Sequence, residues 1–165
     1  ILCYLSQGKP ILFKQQRIGK DFIPFTIFKF RSMHKSSEGI NSFSNGKAYT
    51  ATRWGNFIRY MKIDELPQLF NVLEGTMSLV GPRPHAVQHN DYYRMHIKGY
   101  TQRHSFKPGM TGLAQILGYR GETKDIKLME NRINADLKYI NEWNIWLDFK
   151  ILMKTSYRLY SKRAY

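Results

Sequence analysis

The sequence predicts a mainly helical α+β fold, a compact domain with a small sheet and amphipathic helices. Two observations carry the prediction. Short apolar runs at Ile11-Leu12-Phe13 and Phe25-Thr26-Ile27-Phe28-Lys29-Phe30 have strand character, and the patterns after them recur every three to four residues, as helices do.

In chain order, the opening Ile1-Leu2-Cys3-Tyr4-Leu5 is apolar but far shorter than the roughly 20 residues that span a bilayer. In the second strand-like run, Lys29 and Arg31 alternate with Phe28 and Phe30, so extended backbone projects both from one face. Residues 36–48, rich in Ser, Asn and Gly, read as a mobile loop. Leu66, Leu69, Phe70 and Leu73 fall at i, i+3, i+4 and i+7 and predict an amphipathic helix over residues 67–74. Pro67 marks its first position, where a missing N–H loses no hydrogen bond. Residues 88–103 mix Tyr, His, Arg and Met and suit a second amphipathic helix. Residues 134–160 read as one basic helix, with Leu137, Ile140, Trp143, Trp146 and Leu147 on one side and Lys150, Lys154 and Arg158 among later apolar residues. That composition fits a helix lying in a membrane surface, and equally one packed on the core.

At 165 residues the chain suits a single domain. Its 26 Lys and Arg against 12 Asp and Glu give a formal charge of +14, which favours polyanionic partners. Nucleic acid and the anionic leaflet of a membrane are the two that compete. The lone Cys3 permits no internal disulfide and agrees with a cytosolic setting. A P-loop, a dinucleotide fingerprint and internal repeats are all missing, which removes those nucleotide-binding and solenoid classes.

The chemistry-bearing run is Lys62-Ile-Asp64-Glu65-Leu-Pro67-Gln-Leu-Phe-Asn-Val-Leu73, followed by Val80-Gly81-Pro82-Arg83-Pro84. Two adjacent carboxylates before a helix start can be an N-cap with favourable dipole chemistry. They can also be a nucleophile and its neighbour at a place whose unsatisfied N–H groups suit phosphate. A phosphate beside two carboxylates needs a cation, and magnesium habitually takes one or two carboxylates plus substrate oxygens, here Asp64 and Glu65. Arg83 is either a solvated turn residue or an anion clamp, stiffened because Pro82 and Pro84 restrict the backbone on both sides.

The chain resembles the bacterial sugar transferases, the monotopic polyprenyl-phosphate phosphoglycosyl transferases. The resemblance spans about residues 8–155 and lies in ordered blocks. They are Gly8 to Gly19, Phe28-Lys29-Phe-Arg31-Ser-Met33, Thr52 to Arg59, Asp64 to Leu73, Met77 to Pro84, and Lys107 to Gln115. The resemblance implies a compact, mainly helical catalytic domain over residues 8–165 at the cytoplasmic face of a bacterial inner membrane, with residues 1–7 as the end of an upstream membrane helix. It implies transfer of a sugar-1-phosphate from a UDP-sugar to a polyprenyl phosphate such as undecaprenyl phosphate, with release of UMP. Asp64 would be the covalent nucleophile, Glu65 would help hold magnesium, and Arg83 would contact the nucleotide or its phosphates.

The residues make sense of such a route on their own terms. A carboxylate is ionised at neutral pH and attacks phosphorus without a general base, so positioning and charge neutralisation carry the catalysis. Lys29, Arg31, Arg17 and Arg120 are the basic candidates to meet substrate phosphates. Two rivals stand beside this reading. A basic nucleic-acid-binding module would use the charge and aromatics, but the chain has no helix-turn-helix, zinc-ligand or RNA-recognition signature, so no nucleic acid is expected. A glycosyl transferase proper would release UDP instead of UMP.

Overall fold

The computed structural model describes residues 2–33, 52–119 and 125–159. In chain order its elements are α1 (Leu2–Gln7), β1 (Leu12–Ile18), β2 (Pro24–Phe30), α2 (Arg53–Tyr60), α3 (Gln68–Leu73), β3 (Ser78–Val80), α4 (Val87–His96), β4 (Gly109–Thr111), α5 (Leu113–Ile116), α6 (Ile126–Glu142) and α7 (Ile145–Leu159). Short 3-10 turns lie at Lys20–Phe22, Ile63–Glu65 and Tyr100–Ser105. The fold is mainly helical α+β, as the sequence predicts. Its sheet component is two two-stranded pieces, β1 with β2 and β3 with β4. The predicted loop over residues 36–48 lies outside the described residues. Among the described residues no helix is long and apolar enough to cross a membrane.

The chain forms two compact units, Ile1–Lys14 with Phe28–Gln68, and Gln15–Ile27 with Leu69–Tyr165. In the first, Thr52 caps α2 by accepting a hydrogen bond from the Gly55 N–H at 2.8 Å. Gly55 sits hard against the Ser32 carbonyl, where any Cβ would collide. Ile58 is fully buried, Trp54 stacks on Phe57, and the Trp54 indole N–H reaches Cys3 Sγ at 3.3 Å. After α2, Lys62 adopts a left-handed backbone, φ 56° and ψ 17°, which re-aims the chain into the 3-10 turn carrying Asp64 and Glu65.

Helix α3 begins at Gln68, so Pro67 stands just ahead of the first helical residue instead of at it. Its amphipathic pattern is present but faces outward. Phe70 is 60% and Leu73 83% exposed, while Gln68 and Asn71 are 0% exposed. Asn71 explains part of this inversion. Its amide donates to the Thr26 carbonyl at 2.8 Å, and its own carbonyl accepts from the N–H groups of Thr76 and Met77.

In the second unit β3 and β4 pair in parallel, Ser78 against Gly109 and Val80 against Thr111. The ladder continues past the strands, with the Gly81 N–H donating to the Thr111 carbonyl and the Gly109 N–H to the Pro82 carbonyl. A Cβ at Gly109 or Gly112 would run into the Gly81 backbone, so bare backbone closes this joint. The Met77–Pro84 and Lys107–Gln115 blocks are therefore one structural feature. Around it, Val80, Ile116, Tyr139 and Ile151 form one core cluster, and Tyr93, Ile97, Tyr100, Met129 and Ile133 another.

Two predicted helices differ from the sequence reading. Residues 88–103 are not one amphipathic helix: α4 ends at His96, Ile97 is extended, and Gly99 at φ 79° turns the chain into the Tyr100–Ser105 segment. Tyr93, Ile97 and Tyr100 point into the core. Residues 134–160 are two helices, because Trp143 is extended and Asn144 restarts the helix by accepting from the Leu147 N–H at 2.9 Å. Helix α6 packs on the core through Met129, Ile133 and Leu137. Helix α7 divides. Leu147, Ile151 and Leu152 pack inward, whereas Trp146, Phe149, Met153 and Tyr157 are exposed beside exposed Lys150 and Lys154.

Candidate active site

Asp64 is placed by three local choices: the cap and tight Gly55 contact that fix α2, the left-handed Lys62, and the 3-10 turn that follows. The carboxyl is nearly buried, 8% exposed, and its Oδ1 has no hydrogen-bond partner. Burial raises its pKa above the ordinary carboxylate value, and the Glu65 charge raises it further; Lys29, Lys62 and Arg59 act the other way. The outcome is a more basic, hence more nucleophilic, carboxylate that neighbouring cations still help to ionise. Glu65 meets Lys29 Nζ at 2.8 Å, an ion pair with both side chains about one-fifth exposed.

Period-two alternation puts Lys29 and Arg31 on one side of the extended chain, as expected, and that side is the one on which Phe25 and Ile27 are buried. Arg31 is accordingly buried just beyond β2. Arg59 and Lys62 are among the cations acting on Asp64. Sequence reasoning passed over both, although each lies within five residues of the dyad on its N-terminal side. Arg120 lies outside the described residues.

Arg83 anchors a second constellation, within the other unit. Its Nη1 donates to the Met110 carbonyl at 3.4 Å. Arg103 Nη2 donates to the Arg83 carbonyl at 2.6 Å, and Arg17 Nη1 to the Pro84 carbonyl at 3.4 Å. Arg103 also forms a buried ion pair with Asp136, through Nε at 3.1 Å and Nη2 at 2.7 Å. Burial raises the Asp136 pKa against the lowering effect of Arg103. Arg132 donates from Nε to the Tyr119 carbonyl. Burial, then Arg103 and Arg83, lower its pKa against the raising effect of Asp136.

His85 follows directly on the Pro-Arg-Pro element, with Nδ1 2.8 Å from the Tyr100 hydroxyl. Burial holds it well below the usual histidine value, and the charges of Arg103, Arg132 and Arg17 reinforce this. Arg103 and Arg132 act on the Asp136 carboxylate, while Arg17 and Arg83 bond backbone carbonyls nearby, so this region is rich in guanidinium groups of the kind that suit an anion. A small cleft opens beside Arg83 between Gly19, Pro84, Arg103, His104 and Phe106.

The sequence reading found Arg17 and Arg83 but not Arg103, Arg132 or Asp136. Their signal was present: Met129, Arg132, Ile133 and Asp136 occur at i, i+3, i+4 and i+7, which puts two charges inside a core-facing stripe. Charges on such a stripe are seldom buried unless paired.

Over residues 1–162 the sequence matches the family described as bacterial sugar transferase. The chain belongs to that family. It is 47% identical over 161 residues to the UDP-glucose:undecaprenyl-phosphate glucose-1-phosphate transferase of Escherichia coli K12, covering 97% of this chain and 35% of that protein. It is 50% identical over 164 residues to the protein of the same name from Klebsiella pneumoniae, with the same shares covered. A namesake from Caulobacter vibrioides is 48% identical over 152 residues, 92% of this chain and 57% of that protein. The chain thus spans about a third of the length of the first two relatives. The matched stretch contains both constellations, the Asp64-Glu65 pair and the arginine cluster.

Proposed function

We propose that this sugar transferase moves a sugar-1-phosphate from a UDP-sugar to a polyprenyl phosphate, releasing UMP, at the cytoplasmic face of a bacterial inner membrane. The observation that carries the reading is Asp64, a nearly buried carboxylate with an unpartnered oxygen, next to Glu65 and acted on by three cations.

The proposed route has two displacements at one phosphorus. An Asp64 oxygen attacks the β-phosphorus of the donor, the bond from that phosphorus to the α,β-bridging oxygen breaks, and UMP leaves with the bridging oxygen. A phosphate oxygen of the lipid then attacks the same phosphorus. The bond to Asp64 breaks, its carboxylate is regenerated, and the product is a polyprenyl-diphosphate sugar. Both nucleophiles are anions at neutral pH, so neither step needs a general base. Lys29, Lys62 and Arg59 offset the negative charge that gathers at Asp64. In the other unit, Arg83 and Arg17 are the cations proposed to meet phosphate.

The dyad fits magnesium. Asp64 Oδ1 is a hard oxygen donor without a partner, and Glu65 adjoins it. A metal that takes one or two carboxylates and completes its shell with phosphate and water is the match, and Asp64 and Glu65 would hold it. Bound there, it would neutralise charge on the donor phosphates.

The lipid partner agrees with the exposed face of α7, where Trp146, Phe149, Met153 and Tyr157 lie with Lys150 and Lys154, and with the outward Leu69, Phe70 and Leu73 of α3. Apolar and aromatic side chains mixed with lysine suit a lipid headgroup layer. UDP-glucose is the first donor to test, given the relatives' names.

The deciding experiment incubates the full-length protein with UDP-glucose, magnesium and undecaprenyl phosphate in detergent. Lipid-dependent UMP, and a peptide containing Asp64 that gains the mass of a hexose phosphate when lipid is withheld, are expected. Asp64→Asn should abolish both. Release of UDP would replace this reading with ordinary glycosyl transfer.

A further inference from the structure

Arg103 and Asp136 form a buried ion pair, 2% and 1% exposed, that joins the Tyr100–Ser105 turn to α6. Stability alone is weak ground for such a pair, because well-packed apolar side chains in its place are often as stable. What distinguishes this one is a third partner. Arg103 Nη2, besides meeting Asp136 at 2.7 Å, donates to the Arg83 carbonyl at 2.6 Å. A pair that merely tied the turn to α6 would leave Arg83 out. The guanidinium is itself held firmly: Asp136 Oδ2 takes both Nε and Nη2, and the Tyr100 ring lies beside it, with 5.6 Å from Cζ to the ring centroid.

The carbonyl it holds belongs to a segment in which Pro82 and Pro84 have no N–H to bond, so carbonyls carry the backbone contacts of both. The Pro82 carbonyl accepts from the Gly109 N–H at 3.0 Å, that of Arg83 from Arg103 at 2.6 Å, that of Pro84 from Arg17 at 3.4 Å, and that of His85 from the Ile18 N–H at 3.4 Å. The Arg103 bond is the shortest of these four, and it falls on the residue whose direction matters. The two prolines fix their own φ and push Arg83 toward extended backbone, a broad region in which its carbonyl and side chain can still swing. A bond to that carbonyl narrows the swing. The Arg83 side chain is half-buried and lines the small cleft with Gly19, His104 and Phe106, whereas Arg103 is committed to Asp136 and to backbone.

We propose that the Arg103–Asp136 pair is a positioning device, which holds the Arg83 carbonyl and so aims the Arg83 guanidinium at the diphosphate of the UDP-sugar. The inference rests on the reading of Arg83 as a phosphate contact and deepens it. Arg83 touches the substrate; Arg103 and Asp136 act only through Arg83. Arginine suits the intermediate place, since its planar fork serves a carboxylate and a neighbouring carbonyl in fixed directions, which the point charge of lysine does not.

The test is a double-mutant cycle on the full-length protein in detergent, reading Tm and, by titration calorimetry, the Kd for UDP with magnesium. UDP carries both phosphates and no sugar to transfer. Arg83→Ala should weaken UDP binding about 10- to 100-fold, as for lost bonds to a charged group. Arg103→Met/Asp136→Leu removes both charges together, so neither stays buried and unpaired, and should weaken UDP binding about 10-fold through misplacement of Arg83. In the Arg83→Ala background the same double replacement should change the Kd by less than about twofold. Arg103→Lys keeps a charge opposite Asp136 without the fork, should weaken UDP binding by a similar factor, and serves in place of the apolar pair if that pair does not fold. Wild-type Kd in the folded apolar pair, or in Arg103→Lys where it alone folds, overturns the inference. So does an equal loss with and without the Arg83 side chain, which would make the pair a structural tie. UDP binding that is unchanged by Arg83→Ala overturns the reading of Arg83, and the inference with it.

Discussion

His104 is held between the Gly19 carbonyl and the Asn90 side chain, each at 3.1 Å, and is pushed down to about 4 by burial and then by Arg103, with the Gly19 contact opposing. His85 is also lowered, by burial and by Arg103, Arg132, Arg17 and His104. In the unfolded chain both would take up a proton near the ordinary 6.5. Between 6.5 and about 4 the unfolded state therefore binds protons that the native state refuses. The stability these residues contribute is complete above pH 6.5 and is lost as pH falls toward 4. We expect Tm to drop on going from pH 7 to pH 5, and the drop to shrink in His85→Gln/His104→Gln, measured by differential scanning fluorimetry. An identical pH slope in wild type and double variant would remove the histidines as its cause. Neither shift was legible in the sequence, where His85 stands between Pro84 and Ala86 and His104 between Arg103 and Ser105; the burial that causes the shift comes from residues 14 to 85 positions away.

At the scale of elements, the joint between α6 and α7 shows how one side chain can order two helices. Asp148, in the first turn of α7, accepts from the Tyr139 hydroxyl at 2.8 Å and from the Trp143 indole N–H at 3.2 Å. It also suits the positive end of its own helix. Asp148→Ala should cost about 1–3 kcal/mol, the usual range for losing hydrogen bonds to a charged group, and Asp148→Asn less. Urea unfolding would read both values; equal stability of the alanine variant and wild type would mean that core packing of Leu147 and Ile151 fixes the joint alone. Helix α3 teaches a different lesson. Spacing predicts its amphipathic stripe but not the side to which the stripe turns, because periodicity records a phase and burial is decided by neighbours.

For the whole molecule, a formal charge of +14 combined with the exposed aromatic and lysine face of α7 makes the proposed lipid surface testable. Each lysine near an anionic leaflet is worth about 1 kcal/mol, so Lys150→Glu/Lys154→Glu should weaken binding to phosphatidylglycerol vesicles at least tenfold. Sedimentation should also show release at high salt, as the Debye length falls from about 8 Å at physiological strength to about 3 Å at 1 M. Binding to neutral vesicles that matched binding to anionic ones would sink the electrostatic part of this picture. Equally tight binding to duplex DNA would favour generic polyanion affinity over a membrane partner.

By itself the sequence determined the fold class and the family and singled out Asp64-Glu65 and Pro82-Arg83-Pro84 as candidates, because these rest on local spacing and on short contiguous blocks. Tertiary structure decided what depends on distant neighbours. It closed the Gly81 and Gly109 blocks into one backbone joint and broke the last predicted helix at Trp143-Asn144. It also gathered Arg17, Arg103, Arg132 and Asp136 around the Arg83-Pro84 segment and left Gln68 buried without a partner. The physical reason is common to all of these. A hydrogen bond, a burial cost or a shifted proton affinity belongs to a pair of groups, and in this chain the second member is often tens of residues away.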